Sequence, residues 1–599
     1  MNAFRISYIF LLLFFASVPV AAQDLKLKAV RFKGNETLSD GELLAQMNTK
    51  PKKGFQKLIF WKKRPGFIEA VLEDDINRIR SYYTRNGFLD PRITYATTES
   101  SAGAVSVLVT INENRFIRVN KLVLTSPQDT LVTHITRSLK KQIALKQGER
   151  FRDKDVFDSE ALLKKGLNDN GYPFGSIGHR ITVDNENSQC DVELIIIPGE
   201  RSFFGGLSVK GDSLVPEKFI RKFVQFSTGQ VFSAKKISRT QQDIFGSGLF
   251  RYVVVTPEKD SIQGNSIPVT IRVKELPGWQ LESGIGYGTE DRLRLAAQLT
   301  RLYFLGGARK LIVNAKTSYF VPYSLDTRFV QPAVLFPKLD FVLNPFILRQ
   351  RELSYRIDRF GGGINFLYRH SKTFSGQLSY SFEHDNLLQT GAMLPDSIEL
   401  RHNKSIFGTG GRIDRSDDPF YPSKGYKLDV NVSYAVPGFG SNLHYYKAEV
   451  SLVNYFRLDD ELTLATKIKT GVIQSVSRSV ITPVEEKFYL GGASSLRGWG
   501  RHTISPVSQS GFSLGGNTML EGSAELRFPV YDIFHGVIFM DAGNAWAQTF
   551  RYNPADLHYD AGIGLRIRTP IGPIRLDFAS PVINDPFTFQ FFISVGNAF

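Results

Sequence analysis

The chain has 599 residues, with 74 Lys and Arg against 58 Asp and Glu and a formal charge of +16. Only 22% of residues are charged, which excludes a wholly disordered chain, and the length suffices for several buried cores. Cys190 stands alone, which excludes an intrachain disulfide scaffold and a cysteine-built zinc cluster.

Residues 1–22 carry the layout of a cleavable secretory signal: Arg5, the apolar run Tyr8–Phe15, and the small residues Val20-Ala21-Ala22 before Gln23. The run is shorter than the roughly 20 apolar residues of a spanning helix. Beyond it no stretch is long enough for one, so the exported chain is expected to be secreted, periplasmic or inserted as a β-barrel. Export also changes the reading of the positive charge, away from nucleic acid and towards a solvated surface, a barrel lumen or anionic lipid head groups.

The next portion repeats one pattern three times. Leu25–Phe32 alternates as a strand, Thr37–Leu44 opens with capping residues, and Ile68–Tyr83 has helical spacing at Val71, Leu72, Ile76, Ile79 and Tyr83. Asn86-Gly87-Phe88 stops that helix, and Ile93–Tyr95 and Val105–Ile111 follow as strands. In the second copy Lys121–Leu124, Ser159–Leu167, Asn170-Gly171-Tyr172 and Val192–Ile197 play the same parts. In the third the sequence is Leu207–Gly211, Ser238–Phe245, Gly246-Ser247-Gly248 and Val269–Val273. The spacing of Gly87, Gly171 and Gly248 is too long for a solenoid and predicts small α+β domains over residues 23–116, 117–200 and 201–276. After a signal peptide, three such units resemble POTRA domains, the periplasmic modules of the BamA/TamA family.

Residues 277–599 are dense in period-2 alternation. Leu428, Val430, Val432 and Tyr434 interleave with Asp429, Asn431 and Ser433, and Leu378, Tyr380 and Phe382 with Gln377, Ser379 and Glu383. A soluble sandwich would bury the apolar face between sheets, whereas a membrane barrel turns it to lipid and wets the other. Charged and small residues on the polar face favour the barrel, as do Tyr319, Phe320, Tyr323, Tyr445, Tyr446, Tyr455 and Phe456 at segment ends, where interfacial girdles belong. The length predicts about 16 antiparallel strands. Phe589, Phe591, Ile593, Val595 and Phe599 share one face, a pattern similar to the recognition signal of bacterial outer-membrane barrels, with Asn597 as a polar departure.

Phe488–Trp499 closely resembles the loop-six signature of the same family, Leu496 and Trp499 being mild departures from its Val/Ile-Arg-Gly-Phe/Tyr core. The resemblance implies a loop folded back into the barrel, with Arg497, Gly498 and Trp499 at its tip and the Arg497 side chain against lumen-facing groups. Ile538–Trp546 matches the family's Phe-x-Asp-x-Gly segment and nominates Phe539 and Asp541; Ser523–Pro529 nominates Glu525. Glu521 and Glu525 share a parity, as do Phe539 and Asp541, so an arginine between two carboxylates could bond bidentately. Asp414–Gly425 resembles another family segment and reads physically as a turn. Gly511–Gly515 fits the spacing of a nucleophile elbow but has no helix after it, and no histidine pair has metal-ligand spacing, so no enzyme activity, metal or cofactor is expected.

Across the mature chain the resemblance implies α+β periplasmic repeats followed by an all-β transmembrane barrel that inserts or translocates β-rich outer-membrane proteins. A lateral seam is expected between Trp279–Gly288, where Gly284 and Gly286 weaken the strand, and the last strand with Phe591 and Phe599. The partners expected are unfolded barrel clients and the lipid bilayer, with accessory lipoproteins or an inner-membrane partner as further candidates and no nucleic acid. Three repeats make the layout TamA-like. A two-partner secretion transporter, which usually carries two, is the alternative.

Overall fold

The computed structural model describes residues 25–599 apart from 52–65, 101–102, 212–213, 259–263, 353–354, 390–399, 442, 460, 477–481, 510, 571, 584–586 and 597. The segment read as a signal peptide and Asn597 lie outside the described residues. The chain separates into two compact units, one running to residue 163 and including 177–196, the other comprising 164–176 and 197–599.

The first unit contains the first two repeats, apart from residues 164–176. One is built from β1 (Lys26–Lys33), α1 (Asp40–Gln46), α2 (Glu69–Arg85), β2 (Arg92–Ser100) and β3 (Ala104–Asn112). The other comprises β4 (Arg118–Thr125), α3 (Thr130–Leu139), α4 (Asp153–Asp169), β5 (Ser176–Asp184) and β6 (Gln189–Ile197). Ser39 starts α1 with a capping box: its hydroxyl accepts the Glu42 N–H at 3.3 Å, and the Glu42 carboxylate accepts the Ser39 N–H at 2.9 Å. The stripe Leu72, Ile76, Ile79 and Tyr83 of α2 is buried against the sheet, whose order is β1-β3-β2 with β1 and β3 parallel. The closing strand is therefore central, which explains why Val105, Val107 and Val109 are all buried. Gly87, Gly171 and Gly248 have φ of +85°, +102° and +64°, the left-handed conformation that a helix-ending glycine adopts without a Cβ penalty.

Cys190 is the second residue of β6 and is buried, more deeply than a partly exposed position ahead of a strand. Burial, aided by the neighbouring Asp191 charge, pushes its thiol up to about 11. Because only the thiolate reacts, a maleimide at pH 8 is expected to leave native protein unlabelled over a time in which urea-unfolded protein labels completely. Equal labelling rates would show that β6 is not held as described.

The second unit begins with β7 (Phe203–Lys210), α5 (Glu217–Arg221), α6 (Ala234–Gly246), β8 (Phe250–Pro257) and β9 (Ser266–Glu275), again with the closing strand central. Sixteen strands follow in one antiparallel meander: β10 (Trp279–Gly288), β11 (Arg292–Leu302), β12 (Lys310–Thr317), β13 (Tyr323–Gln331), β14 (Leu339–Arg351), β15 (Tyr355–Arg369), β16 (Phe374–Gln389) and β17 (Arg401–Asp414), then β18 (Gly425–Ala435), β19 (Tyr445–Arg457), β20 (Thr463–Ser475), β21 (Thr518–Tyr531), β22 (Phe534–Trp546), β23 (His558–Ile567), β24 (Ile574–Ile583) and β25 (Gln590–Val595). The third repeat shares a hydrophobic core with the first hairpins of this sheet, through Leu302, Tyr303, Ala308 and Ala333. The Tyr303 hydroxyl is 3.0 Å from both the Leu249 and Leu276 carbonyls, and the Lys310 ammonium donates to the Ser247 carbonyl at the C-terminal end of α6 at 2.7 Å.

Large apolar side chains alternate onto the outer face and are exposed there: Leu281, Ile285, Leu378, Ile468, Ile538 and Ile563 among them. A water-soluble sandwich would cover such a band between its sheets, whereas a membrane barrel turns it to lipid. Three of the expected girdle aromatics do not belong to it. Phe320, Tyr445 and Tyr455 are buried. Tyr455 pairs across the sheet with Ala465, which pairs with Glu525, so its ring stands on the inner face by parity. Tyr319, Tyr323 and Phe456 are exposed, as a girdle requires.

Candidate functional site

The long connection between β20 and β21 folds back inside the sheet. Arg497, 1% exposed, stretches its guanidinium over two strands. Nε and Nη2 donate to the two oxygens of Asp541 on β22, each at 2.7 Å, and Nη1 donates to Glu525 on β21 at 2.5 Å. The guanidinium carbon lies 3.5 Å from the centroid of Phe539. Glu525 pairs directly with Phe539, and Ser523 with Asp541, so register alone gathers these groups on one face. Gly498 passes so close to Asp560 and the Ser580–Pro581 peptide that a Cβ would overlap them. Trp499 is half-buried, edge-on to His558 at 5.0 Å, and packs with Leu496 into a cluster containing Leu490, Ile504 and Tyr445. That cluster accommodates the two departures from the family motif.

Several partners of this lock were not singled out from the sequence. Ser523 accepts from Arg497 at 3.1 Å. Glu525 also accepts from Arg527 at 2.8 and 3.0 Å and from Arg566 at 3.3 Å, and Arg566 pairs with Asp577 at 2.5 Å. Every one of them has the inward parity of its strand, a signal that charge alternation along β21 and β23 could have supplied. Each of these buried charges faces an opposite one, which offsets its desolvation; with one removed the offset is lost.

The same loop is anchored twice more. A short 3-10 turn, Val484–Glu486, brings two carboxylates to the inner faces of β15–β17. Lys404, fully buried, lies 2.6 Å from Glu486 and 2.8 Å from Asp385; Arg359 holds Asp385 bidentately at 2.9 and 3.0 Å; and His402 meets Glu485 at 2.7 Å. Asp385, His402 and Glu485 are close enough together to resemble a metal ligand set, but the Lys404 ammonium already supplies the cation there. Farther along, Arg501 donates to both oxygens of Glu352, at 3.1 and 3.0 Å.

At the seam, the sheet runs from β10 to β25 without a ladder joining these two strands among the described residues. They touch where the Thr289 hydroxyl donates to the Phe591 carbonyl and where Gly288 approaches the Ile593 carbonyl. Continuing that antiparallel offset sets Val595, where β25 ends, level with Gly286. Among the described residues the stretch from Trp279 to Ile285 therefore faces no strand. Gly284 and Gly286 lie on the inner face with Glu282, while Leu281, Ile285 and Tyr287 stand exposed outside. Trp279, at the start of β10, sits beneath the Arg301 guanidinium at 4.9 Å rather than against the last strand.

Phe591 lies at the seam, its carbonyl accepting from the Thr289 hydroxyl and its ring on the outer face, stacked on Phe578 at 4.7 Å. Phe599 does not. Gly596 takes φ +98° and turns the chain inward, and the Phe599 ring packs on Tyr455 and Val453 with the Arg527 guanidinium 5.6 Å away. It belongs to the inner face of β19–β21 and not to the seam. The Asp414–Gly425 turn also reaches inward. Asp417 accepts from the Ser423 and Lys424 amides at 2.8 and 3.0 Å, and the Tyr421 hydroxyl exchanges hydrogen bonds of 2.6 Å with the Thr569 carbonyl and amide. Those turns lie six strand positions apart, about 29 Å along the wall at about 4.8 Å per strand, so the contact straps the barrel mouth along a chord.

Family models match this arrangement. The Omp85 superfamily domain matches residues 304–599, and the surface antigen variable number repeat (POTRA) matches residues 25–114 and 203–276. The chain is 21% identical to outer membrane protein assembly factor BamA of Neisseria meningitidis serogroup B, over 94% of this chain and 76% of that protein. It is 20% identical to BamA of Neorickettsia risticii over the same shares. BamA from Haemophilus ducreyi lacking POTRA domains 1–3 has a similar fold, with a TM-score of 0.62 at 19% identity over 80% of this chain and 99% of that one.

Proposed function

Because the chain belongs to the Omp85 superfamily, we infer that it is an outer-membrane protein assembly factor, inserting β-barrel clients into the bilayer. Its barrel lies in the outer membrane of a Gram-negative bacterium and its repeats in the periplasm. The observation that carries the mechanism is the unpaired edge of β10 in a sheet whose other internal neighbours are fully laddered. An exposed row of N–H and C=O groups is a template for another strand, and here it borders lipid on one side and a polar interior on the other. A client strand pairing with Trp279–Ile285 would exchange backbone–water hydrogen bonds for ladder bonds. Its own folding then supplies the driving force, with no nucleotide needed. In the repeats, β1, β2 and their counterparts are sheet edges, suited to hold extended client segments, or an accessory lipoprotein or inner-membrane partner, by β-augmentation.

Conditional depletion, followed by heat-modifiable gel mobility and proteomics of folded barrels, tests this reading. A broad fall across unrelated barrels is expected for a general factor, and loss of a few for an auxiliary one. Loss of a single secreted protein would replace it by the two-partner transporter. In a Cys190→Ala background, oxidising Thr289→Cys/Phe591→Cys is expected to abolish client insertion, and a reductant to restore it. Full insertion by the oxidised protein would remove the lateral seam from the mechanism.

A further inference from the structure

The two margins of the seam share a ligand, and it is the backbone of one residue of loop six. The Ala493 N–H points at Glu290 Oε2, 3.4 Å away, in the turn that joins β10 to β11. The Ala493 carbonyl accepts from Arg575 Nη2, on β24, at 3.2 Å. Arg575 in turn donates through Nε to Ser594 Oγ on β25 at 2.9 Å. The backbone N–H and C=O of one residue thus connect the first hairpin, an acceptor, to the last two strands, a donor, across an edge that β10 and β25 themselves bridge, among the described residues, by little more than the Thr289 contact. Both charged side chains have capacity to spare: Glu290 Oε1 and Arg575 Nη1 are buried without a hydrogen-bond partner.

We propose that Glu290 and Arg575 form a peptide-binding pair astride the seam, filled in the resting state by Ala493, so that loop six clasps the seam shut and must yield this peptide before a client strand can enter. The inference rests on the lateral-seam reading above and adds the residues that regulate it. A carboxylate for the N–H and a guanidinium for the C=O match the two backbone groups of a single residue, which point to the same side in an extended strand, so an incoming extended backbone presents the same chemistry as Ala493 does. The Arg497 lock explains why the clasp is in place: it fixes Ala493 four residues from an immobile anchor. Glu290 and Arg575 are positioning residues, since they act through the loop.

The full-length protein in lipid vesicles, carrying Cys190→Ala and the Thr289→Cys/Phe591→Cys pair, reports the closed seam as the rate of disulfide formation. Glu290→Ala and Arg575→Ala are each expected to slow it about tenfold, the size of one charge-assisted hydrogen bond. Glu290→Gln, which keeps a neutral acceptor at the same reach, is expected to restore part of the loss. Ala493→Pro removes the amide donor, besides fixing φ at that position, and leaves both charged groups; it should be at least as slow as Glu290→Ala. An unchanged rate in the alanine variants, or a glutamine variant as slow as the alanine one, would overturn the clasp. Client insertion in the same vesicles separates the two readings: slower disulfide formation with unaltered insertion keeps the clasp and removes the seam from the mechanism.

Discussion

Replacing Arg497 by alanine is expected to destabilise the barrel by about 3–5 kcal/mol, the usual cost of stripping one partner from a buried ionic cluster. The loss is large because Arg497 is the hub for Glu525, Asp541 and Ser523. Without it Asp541 keeps only the Ser523 hydroxyl among these groups, beside the like charge of its cross-strand neighbour Asp560. Folded barrel should then lose its heat-resistant mobility at a distinctly lower temperature, and client insertion should fall with it. Arg497→Lys should recover part of the loss, because a point charge serves one carboxylate where the planar fork serves two. Unchanged heat resistance in the alanine variant would mean that loop six does not bear on the barrel wall.

The second large effect is expected at Lys404. Its ammonium, 0% exposed, stands among Asp385, Glu383, Glu485 and Glu486, with Arg359, His402 and Lys447 beside the same carboxylates. Lys404→Met keeps most of the volume, so the change isolates charge from packing. A deficit of about 3–5 kcal/mol is expected. Adding Glu486→Gln should return much of it, because the carboxylate left unpaired is then neutral. The double-mutant cycle measures this directly: additive losses would mean that Lys404 and Glu486 do not act as a pair.

What could be read from the sequence follows the reach of its local signals. Helix-stop glycines and two-residue alternation are local, and they located the repeats and the barrel. Parity is nearly local: once β21 and β22 are paired, Glu525, Phe539 and Asp541 must share a face, and a motif with a known fold-back supplied Arg497. The anchor at Lys404 was beyond such reasoning. It depends on where Glu485 and Glu486 land after a long connection, and neither alternation nor a motif governs that. Phe599 failed for a related reason, since a parity count assumes an unbroken strand and Gly596 breaks it. Tyr445 and Tyr455 failed because aromatic character at a strand end was weighed ahead of the parity that turns both rings inward.

The docking of the third repeat on the first hairpins has a mechanical consequence. Leu302, Tyr303, Ala308 and Ala333 belong to the same apolar core as Phe204, Ile267 and Ile271. A close-packed core has low compressibility and passes strain on rather than absorbing it. The repeat and the hairpins β11–β12 and β13–β14 thus make up a lever whose short arm is β10. Tension on a segment held by the third repeat arrives as torque on β10, the strand that forms one margin of the unladdered seam.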